Sequence, residues 1–274
     1  MNSTLGKALR IEGLSRPRDG RYVLVPLDHS VADGPIADWA PFVRLVRAVT
    51  RAGADGIIVH KGRARSLCAD DLAGAALLVH LSASTGHGPD PDAKVLVGDL
   101  EDVIRLGASA VSLHINVGSE TESQQLRDLG AVASRCERYG VPLLAMMYPR
   151  GRGIANPRDA KLLAHAANLA ADLGADIVKI PQAETPAEMR DVVRSSPLPV
   201  IVAGGVPDGN HGALHAAVRA LLQAGCSGLA AGRTVFTAPD PGAVAALLAD
   251  AVHGGVSPAR ALGAEQFPVG AGAR

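Results

Sequence analysis

The chain has 274 residues, 47% hydrophobic but only 3% aromatic, with 27 basic and 27 acidic side chains and a formal net charge of zero. Its core must be built from Ala, Val, Leu and Ile, the usual filling of parallel sheets covered by helices, which excludes a disordered chain. The balanced, dispersed charge leaves no footprint for nucleic acid or an anionic membrane and favours small-molecule partners.

The first segment, MNSTLGKALRIEGL, has no continuous apolar stretch followed by a small-residue cleavage site, and no later run reaches membrane-spanning length. A cytoplasmic protein is expected. From there one phrase recurs: a helix-like stretch, a Gly with a small residue, and a short apolar run, as in TRAGADGIIVHKG, IRLGASAVSLHINVG, ADLGADIVKIPQ and LQAGCSGLAAGR. Gly53, Gly107, Gly174 and Gly225 suit the left-handed position that ends a helix. In chain order the strands are YVLVPLD, GIIVHK, LLVHLS, AVSLHIN, PLLAMMY, DIVKI, PVIVAGG and GLAAG, with KVLVGD a rival for the third. Strands alternating with helices imply a parallel sheet, and eight such units predict a closed (β/α)8 TIM barrel. No proline-rich linker divides the chain, so one domain over 1–274 is expected, with a core at about 20–252 and a loose tail around PVGAGAR. Cys68, Cys136 and Cys226 are odd in number, far apart and without a CxxC pair, so they read as reduced core thiols rather than metal ligands.

Barrel enzymes carry their sites at the carboxyl ends of the strands. Asp28 and His29 end the first, Lys61 the second, His114 and Asn116 the fourth, Tyr148 and Arg150 the fifth, and Lys179 lies near the end of the sixth. Lys179 stands out as a lone cation in the apolar run ADIVKIPQ. It is either an interior lysine paired with a carboxylate or, since burial favours the neutral amine, a Schiff-base nucleophile. Lys61 is the competing nucleophile, although Arg63 and Arg65 beside it suggest an exposed or anion-facing position. Imine chemistry moves a proton at every stage, and Asp28 with Tyr148 would handle those protons. Gly204 and Gly205 after the seventh strand, and Gly232 with Arg233 after the eighth, occupy the places where such barrels bind phosphate. His29, His60, His80 and His114 permit a metal hypothesis, but no HxH or HxxxH pair occurs among them, and no metal is expected.

The motifs VPLDHS, AVSLHINVGSE, RDLGAVASRCERYGVPLLAMMYPRG, DIVKI, VIVAGG and AAGRTVF resemble the archaeal-type class I aldolases, over about Tyr22 to Phe236. Within that family the likeness is greatest to the synthases that make aminoheptulosonates from aspartate semialdehyde. The resemblance implies an aldehyde-lyase with Lys179 as the imine lysine, Tyr148 and Asp28 as proton carriers, and Gly204, Gly205, Gly232 and Arg233 around the substrate phosphate. His29, Lys61, His114, Asn116 and Arg150 are possible substrate contacts from strand-end position. No cofactor is expected beyond the lysine imine, the partners are phosphosugar and aldehyde substrates, and the family's habit implies a homo-oligomer, often a decamer. Two departures stand out: Ser30 where relatives usually have Gly, and Met146 where hexose-bisphosphate aldolases tend to carry a bulky aromatic.

Two activities remain within the subgroup. One joins dihydroxyacetone phosphate to aspartate semialdehyde on the way to 3-amino-4-hydroxybenzoate. The other is a transaldolase on a route to dehydroquinate. The chain's 22 Arg against 5 Lys suggest a GC-rich genome, whose owner commonly has the ordinary dehydroquinate route, and this leans toward the first. Fructose bisphosphate cleavage, a metal-dependent aldolase and a non-catalytic phosphosugar-binding regulator are the rival readings.

Overall fold

The computed structural model of the protein describes residues 5–204 and 211–254. Eight strands form at the expected places: Tyr22–Pro26 (β1), Gly56–His60 (β2), Ala76–His80 (β3), Ala110–Val117 (β4), Leu143–Pro149 (β5), Ile177–Ile180 (β6), Val200–Ala203 (β7) and Gly228–Ala230 (β8). Each pairs in parallel with its sequence neighbours, and β8 closes on β1 through Tyr22–Gly228, Val23–Leu229 and Leu24–Ala230. The result is the (β/α)8 barrel anticipated from the repeat. Gly53, Gly107, Gly174 and Gly225 all have positive φ, as their helix-ending role requires.

The strand period of two sorts the side chains into two cores. Inward positions such as Leu24, Ile58, Leu78, Leu144, Ile177 and Ile201 fill the barrel, while Val23, Ile57, Val79, Val111, Ala145 and Val178 face the helices. The helices answer with apolar faces of their own. In Trp39–Arg51 the residues Phe42, Leu45, Val46 and Val49 fall on one side at helical spacing and are buried. Each fully buried Leu or Ile contributes about 1.5–3 kcal/mol relative to an exposed one.

Segment KVLVGD does not enter the barrel. Val95–Leu96 pairs antiparallel with Ser82–Ala83 in a two-stranded ribbon, and Val95 remains 56% exposed. By contrast Ala76–His80 is buried along its whole length, which is why it wins the third place. The amino-terminal end of the barrel is closed by polar contacts: His253 Nδ1 lies 2.8 Å from Asp19 Oδ2 and its Nε2 3.0 Å from Asp55 Oδ2. Asp55, 0% exposed, also accepts from the backbone N–H groups of Arg16 and Val23. Of the three cysteines expected in the core, Cys136 and Cys226 are buried but Cys68 is exposed. Gly205 and the PVGAGAR tail lie outside the described residues.

Candidate active site

A cavity of about 1630 Å³ opens at the carboxyl ends of the strands. It is lined by nine of the residues singled out from sequence: Asp28, His29, His114, Tyr148, Arg150, Lys179, Gly204, Gly232 and Arg233.

Lys179 follows the inward parity of Ile177 on β6 and sits beside Met146 of β5 and Ile201 of β7. It is 5% exposed, and its Nζ is 4.0 Å from the thioether sulfur of Met146. Among the described residues no carboxylate lies within ion-pair distance of this amine. The described residues thus offer no acidic partner for the reading of Lys179 as a paired interior cation. Met146 leaves a slim and polarizable wall against the nitrogen.

Asp28 stands two residues beyond Pro26, on the same inward parity of β1. Burial pushes its carboxyl up, but the charges of His80, His29, Lys179 and His60 outweigh this and hold it below the usual carboxylate range. Its Oδ1 is buried without a hydrogen-bond partner, as is Nδ1 of His29, 3.5 Å away. His80 Nδ1 is 2.8 Å from Ser112 Oγ, and burial pushes this imidazole down to about 4, so it is neutral at physiological pH. Asp28 is thus an ionised carboxylate at the edge of the cavity, with one buried oxygen left unpartnered.

Tyr148 ends β5 between two flat groups. The His114 ring is 4.6 Å away, and the Arg150 guanidinium lies 4.9 Å from the phenol centroid. Burial, then Lys94 and Arg150, keeps His114 well below its ordinary value. Asn116 uses its Nδ2 to donate to the Asp92 carbonyl at 2.8 Å, so its Oδ1 accepts from His114 Nε2, also at 2.8 Å. This sets the imidazole tautomer and the ring plane against Tyr148.

The loops after β4 and β5 touch backbone to backbone. A Cβ on Gly151 would lie 1.7 Å from the Gly118 carbonyl oxygen, and one on Gly118 would lie 2.8 Å from Ile154. Only glycines permit this approach. Gly232 is crowded too: a Cβ there would come within 2.6 Å of His29 Cε1 and 2.7 Å of the Pro26 carbonyl oxygen. The backbone N–H groups of Gly232 and Arg233 have no acceptor among the described residues, and Arg233 has no ion pair there. The Gly204 N–H, in contrast, donates to the Ala230 carbonyl at 3.0 Å. Gly204 therefore gives the cavity room rather than a donor.

Two expected contacts lie elsewhere. Inward parity on β2 belongs to Ile58 and His60, and Lys61 falls one residue out of phase, outside the cavity, where it pairs with Asp102 at 2.7 Å. Asn116 is fully buried under the Asp92 loop and braces His114 rather than reaching the cavity. Conversely, Lys94, Arg158 and Gln182 line the cavity and were not among the candidate residues. His60 and His80, noted from sequence only as strand-end histidines, line it as well. Lys94 could not have been found from strand position, because its place depends on how the connection between β3 and β4 folds back. No three His, Cys, Asp or Glu side chains form a metal-binding group among the described residues, and no helix there is long and apolar enough to cross a membrane.

Comparison with known proteins agrees with this fold. The family model described as DeoC/LacD family aldolase matches residues 22–238. The chain is 45% identical over 272 residues, 99% of itself and 98% of the relative, to the 2-amino-4,5-dihydroxy-6-oxo-7-(phosphonooxy)heptanoate synthase of Streptomyces griseus. It is 39% identical over 257 residues, 94% of itself and 95% of the relative, to the 2-amino-3,7-dideoxy-D-threo-hept-6-ulosonate synthase of Halobacterium salinarum. Among solved structures, an archaeal fructose-1,6-bisphosphate aldolase with its catalytic Lys covalently bound to the carbinolamine intermediate of the substrate superposes with a TM-score of 0.80 at 28% identity, covering 90% of this chain and 98% of that one. The chain is a lyase-type enzyme and belongs to the DeoC/LacD family of aldolases.

Proposed function

We propose that this enzyme is a Schiff-base aldolase that joins dihydroxyacetone phosphate to L-aspartate 4-semialdehyde. The observation that carries the reading is the Lys179 amine, buried in the cavity without an ion-pair partner among the described residues and near an ionised Asp28. The solved archaeal relative with its lysine bound to substrate supports it. So does the product named for the Streptomyces relative, which decomposes into two such pieces: a phosphorylated three-carbon ketone unit and a four-carbon 2-amino acid unit joined at their hydroxyl-bearing carbons.

Lys179 Nζ attacks the ketone carbon, and the resulting carbinolamine loses water after Tyr148 supplies a proton to its hydroxyl. The iminium acidifies the neighbouring hydroxymethyl carbon, Asp28 removes a proton there, and an enamine forms. The enamine carbon adds to the aldehyde carbon, whose oxygen takes a proton from the Asp28–Tyr148 pair, and water then hydrolyses the imine to release the product. The open amides of Gly232 and Arg233, with the Arg233 guanidinium, hold the phosphate. On this reading the carbonyl is activated by the lysine alone, without a metal, and the enzyme works in the cytoplasm as a homo-oligomer.

The test is intact mass after borohydride reduction with dihydroxyacetone phosphate, in the wild type and in Lys179→Met. Reaction of the untreated enzyme with aspartate semialdehyde follows. A covalent adduct on the wild type alone and a phosphorylated seven-carbon product are expected. An active, folded protein that gives no adduct overturns the imine. An adduct without that product moves the assignment to the transaldolase reading, with a deoxyketohexose phosphate as donor, or to fructose bisphosphate.

A further inference from the structure

Lys94 is the cavity group that this chemistry leaves unused. It lies on the connection between β3 and β4, lines the cavity and is half-buried. Its ammonium donates one hydrogen bond among the described residues, to Ser84 Oγ, and makes no ion pair there. One bond to a neutral hydroxyl contributes about 1 kcal/mol, too little to offset withdrawing an ammonium from water. The nearest charges make the position harder to explain as a structural tie. Burial and then the Arg150 guanidinium both oppose protonation of Lys94, and Asp92 only partly compensates. Two cations thus face one space, and an anion between them would relieve both.

The segment that carries Lys94 is built rather than loose. The Asp92 carbonyl accepts from Asn116 Nδ2 and from Gln125 Nε2, each at 2.8 Å. Both amides are buried, and Gln125 Oε1 in turn accepts the Asn116 backbone N–H at 2.8 Å. The same clamp aims the Asp92 carboxylate into the cavity, 3.7 Å from Arg150 Nη1. Lys94, Asp92 and Arg150 therefore present plus, minus and plus along one wall.

The position of that wall in the ring fixes what meets it. Lys94 precedes β4 and Arg150 follows β5, so the cluster is centred near β4, and in a closed ring of eight strands β4 stands opposite β8. Gly232 and Arg233 follow β8. Lys179 on β6 is two strands from each pole. A substrate held by phosphate at the β8 pole and bonded to Lys179 extends its new carbon–carbon bond toward the β4 pole.

We propose that Lys94, Asp92 and Arg150 form the subsite for the α-amino carboxylate end of the acceptor aldehyde, Lys94 and Arg150 binding the carboxylate and Asp92 the ammonium. This rests on the aldolase reading above and adds to it the determinant of acceptor choice. The bidentate fork of Arg150 and the point charge of Lys94 grip a carboxylate from two sides, while an aldehyde lacking that group leaves both cations facing each other.

The experiment compares L-aspartate 4-semialdehyde, succinate semialdehyde and propanal as acceptors with dihydroxyacetone phosphate, in the wild type, Lys94→Met, Lys94→Arg and Asp92→Asn. Lys94→Met should raise KM for the two carboxylated aldehydes about 30-fold and leave propanal within about threefold, the size expected for one charge-assisted bond. Lys94→Arg should recover most of that loss, and Asp92→Asn should weaken aspartate semialdehyde while sparing succinate semialdehyde. Borohydride trapping of the donor should be unchanged in every variant, which also shows that each is folded. Equal loss with all three aldehydes, or no loss with any, overturns the subsite. If the wild type traps no donor, the imine reading has failed by itself. Calorimetric titration with L-aspartate then decides the subsite: binding lost in Lys94→Met supports it, and equal binding in both overturns it.

Discussion

Replacing His253 by Ala should cost about 3 kcal/mol of stability, and the figure follows from the clamp at the amino-terminal end of the barrel. The imidazole is 2% exposed and donates from both nitrogens, at 2.8 Å to Asp19 and 3.0 Å to Asp55. A hydrogen bond to a charged group contributes about 1.5–3 kcal/mol. The Asp55 bond takes the full value because both partners are buried. The Asp19 bond is discounted, since that carboxylate is 31% exposed and water can replace the imidazole. Asp55 also keeps the N–H groups of Arg16 and Val23, which spares the variant a bare buried charge. For a domain of this size the loss lowers Tm by about 6–12 °C. The pH dependence adds a sign. Burial lowers the His253 pKa, but Asp55 and Asp19 outweigh it and raise the value above normal. Its contribution is complete below the unfolded value of about 6.5 and is lost as pH rises through the higher folded value. Asp19 is shifted the other way: burial raises it, the bonds from His253, Arg21 and Ser15 lower it further, and its contribution is lost as pH falls through that lowered value. Urea unfolding of both proteins from acid to mildly alkaline pH should show the wild-type advantage shrinking at both ends. A loss under about 1 kcal/mol at neutral pH, or parallel pH profiles, would refute the clamp.

Tyr148→Phe should slow turnover by about 10²–10⁴-fold with little change in phosphate affinity, read from kcat and from competition by inorganic phosphate; equal losses in both would remove Tyr148 from proton transfer. Gly232→Ala places a methyl group against the Pro26 carbonyl, which cannot yield, so donor affinity should drop while acceptor KM holds. An unchanged donor KM would move the phosphate away from that turn. Lys61→Met should leave kcat/KM within about twofold, because its exposed pair with Asp102 contributes at most about 1 kcal/mol and lies outside the cavity. A large loss would restore Lys61 as a site residue.

The barrel was legible because its signals are local. A glycine that stops a helix and an apolar run that follows it announce each unit without reference to the others. The inward residues Asp28, Tyr148 and Lys179 were legible for the same reason, since strand ends locate the mouth of such a barrel. Position along a strand is not enough, however, and Lys61 shows it: one residue of phase separates the cavity from the helical layer. Asn116 has the right parity but stands one step too far out, where the Asp92 loop covers it. That loop was itself unreadable, because it is held by buried amides from β4 and the following helix Glu122–Tyr139 rather than by any pattern of its own. Lys94, carried on it, could be placed only in three dimensions.

The contact between Gly118 and Gly151 makes two loops a single mechanical part. With the Gly118 carbonyl seated where a side chain on Gly151 would have to go, neither loop can be redrawn while the other stays still. The phenol of Tyr148 and the guanidinium of Arg150 ride on the same joint, the Arg150 N–H being tied at 2.9 Å to the Val117 carbonyl. Attempts to re-tool this enzyme for other aldehydes by loop exchange would therefore trade speed against selectivity at every step. Side-chain changes at Lys94 and Asp92 leave that joint, and the Tyr148 it carries, in place.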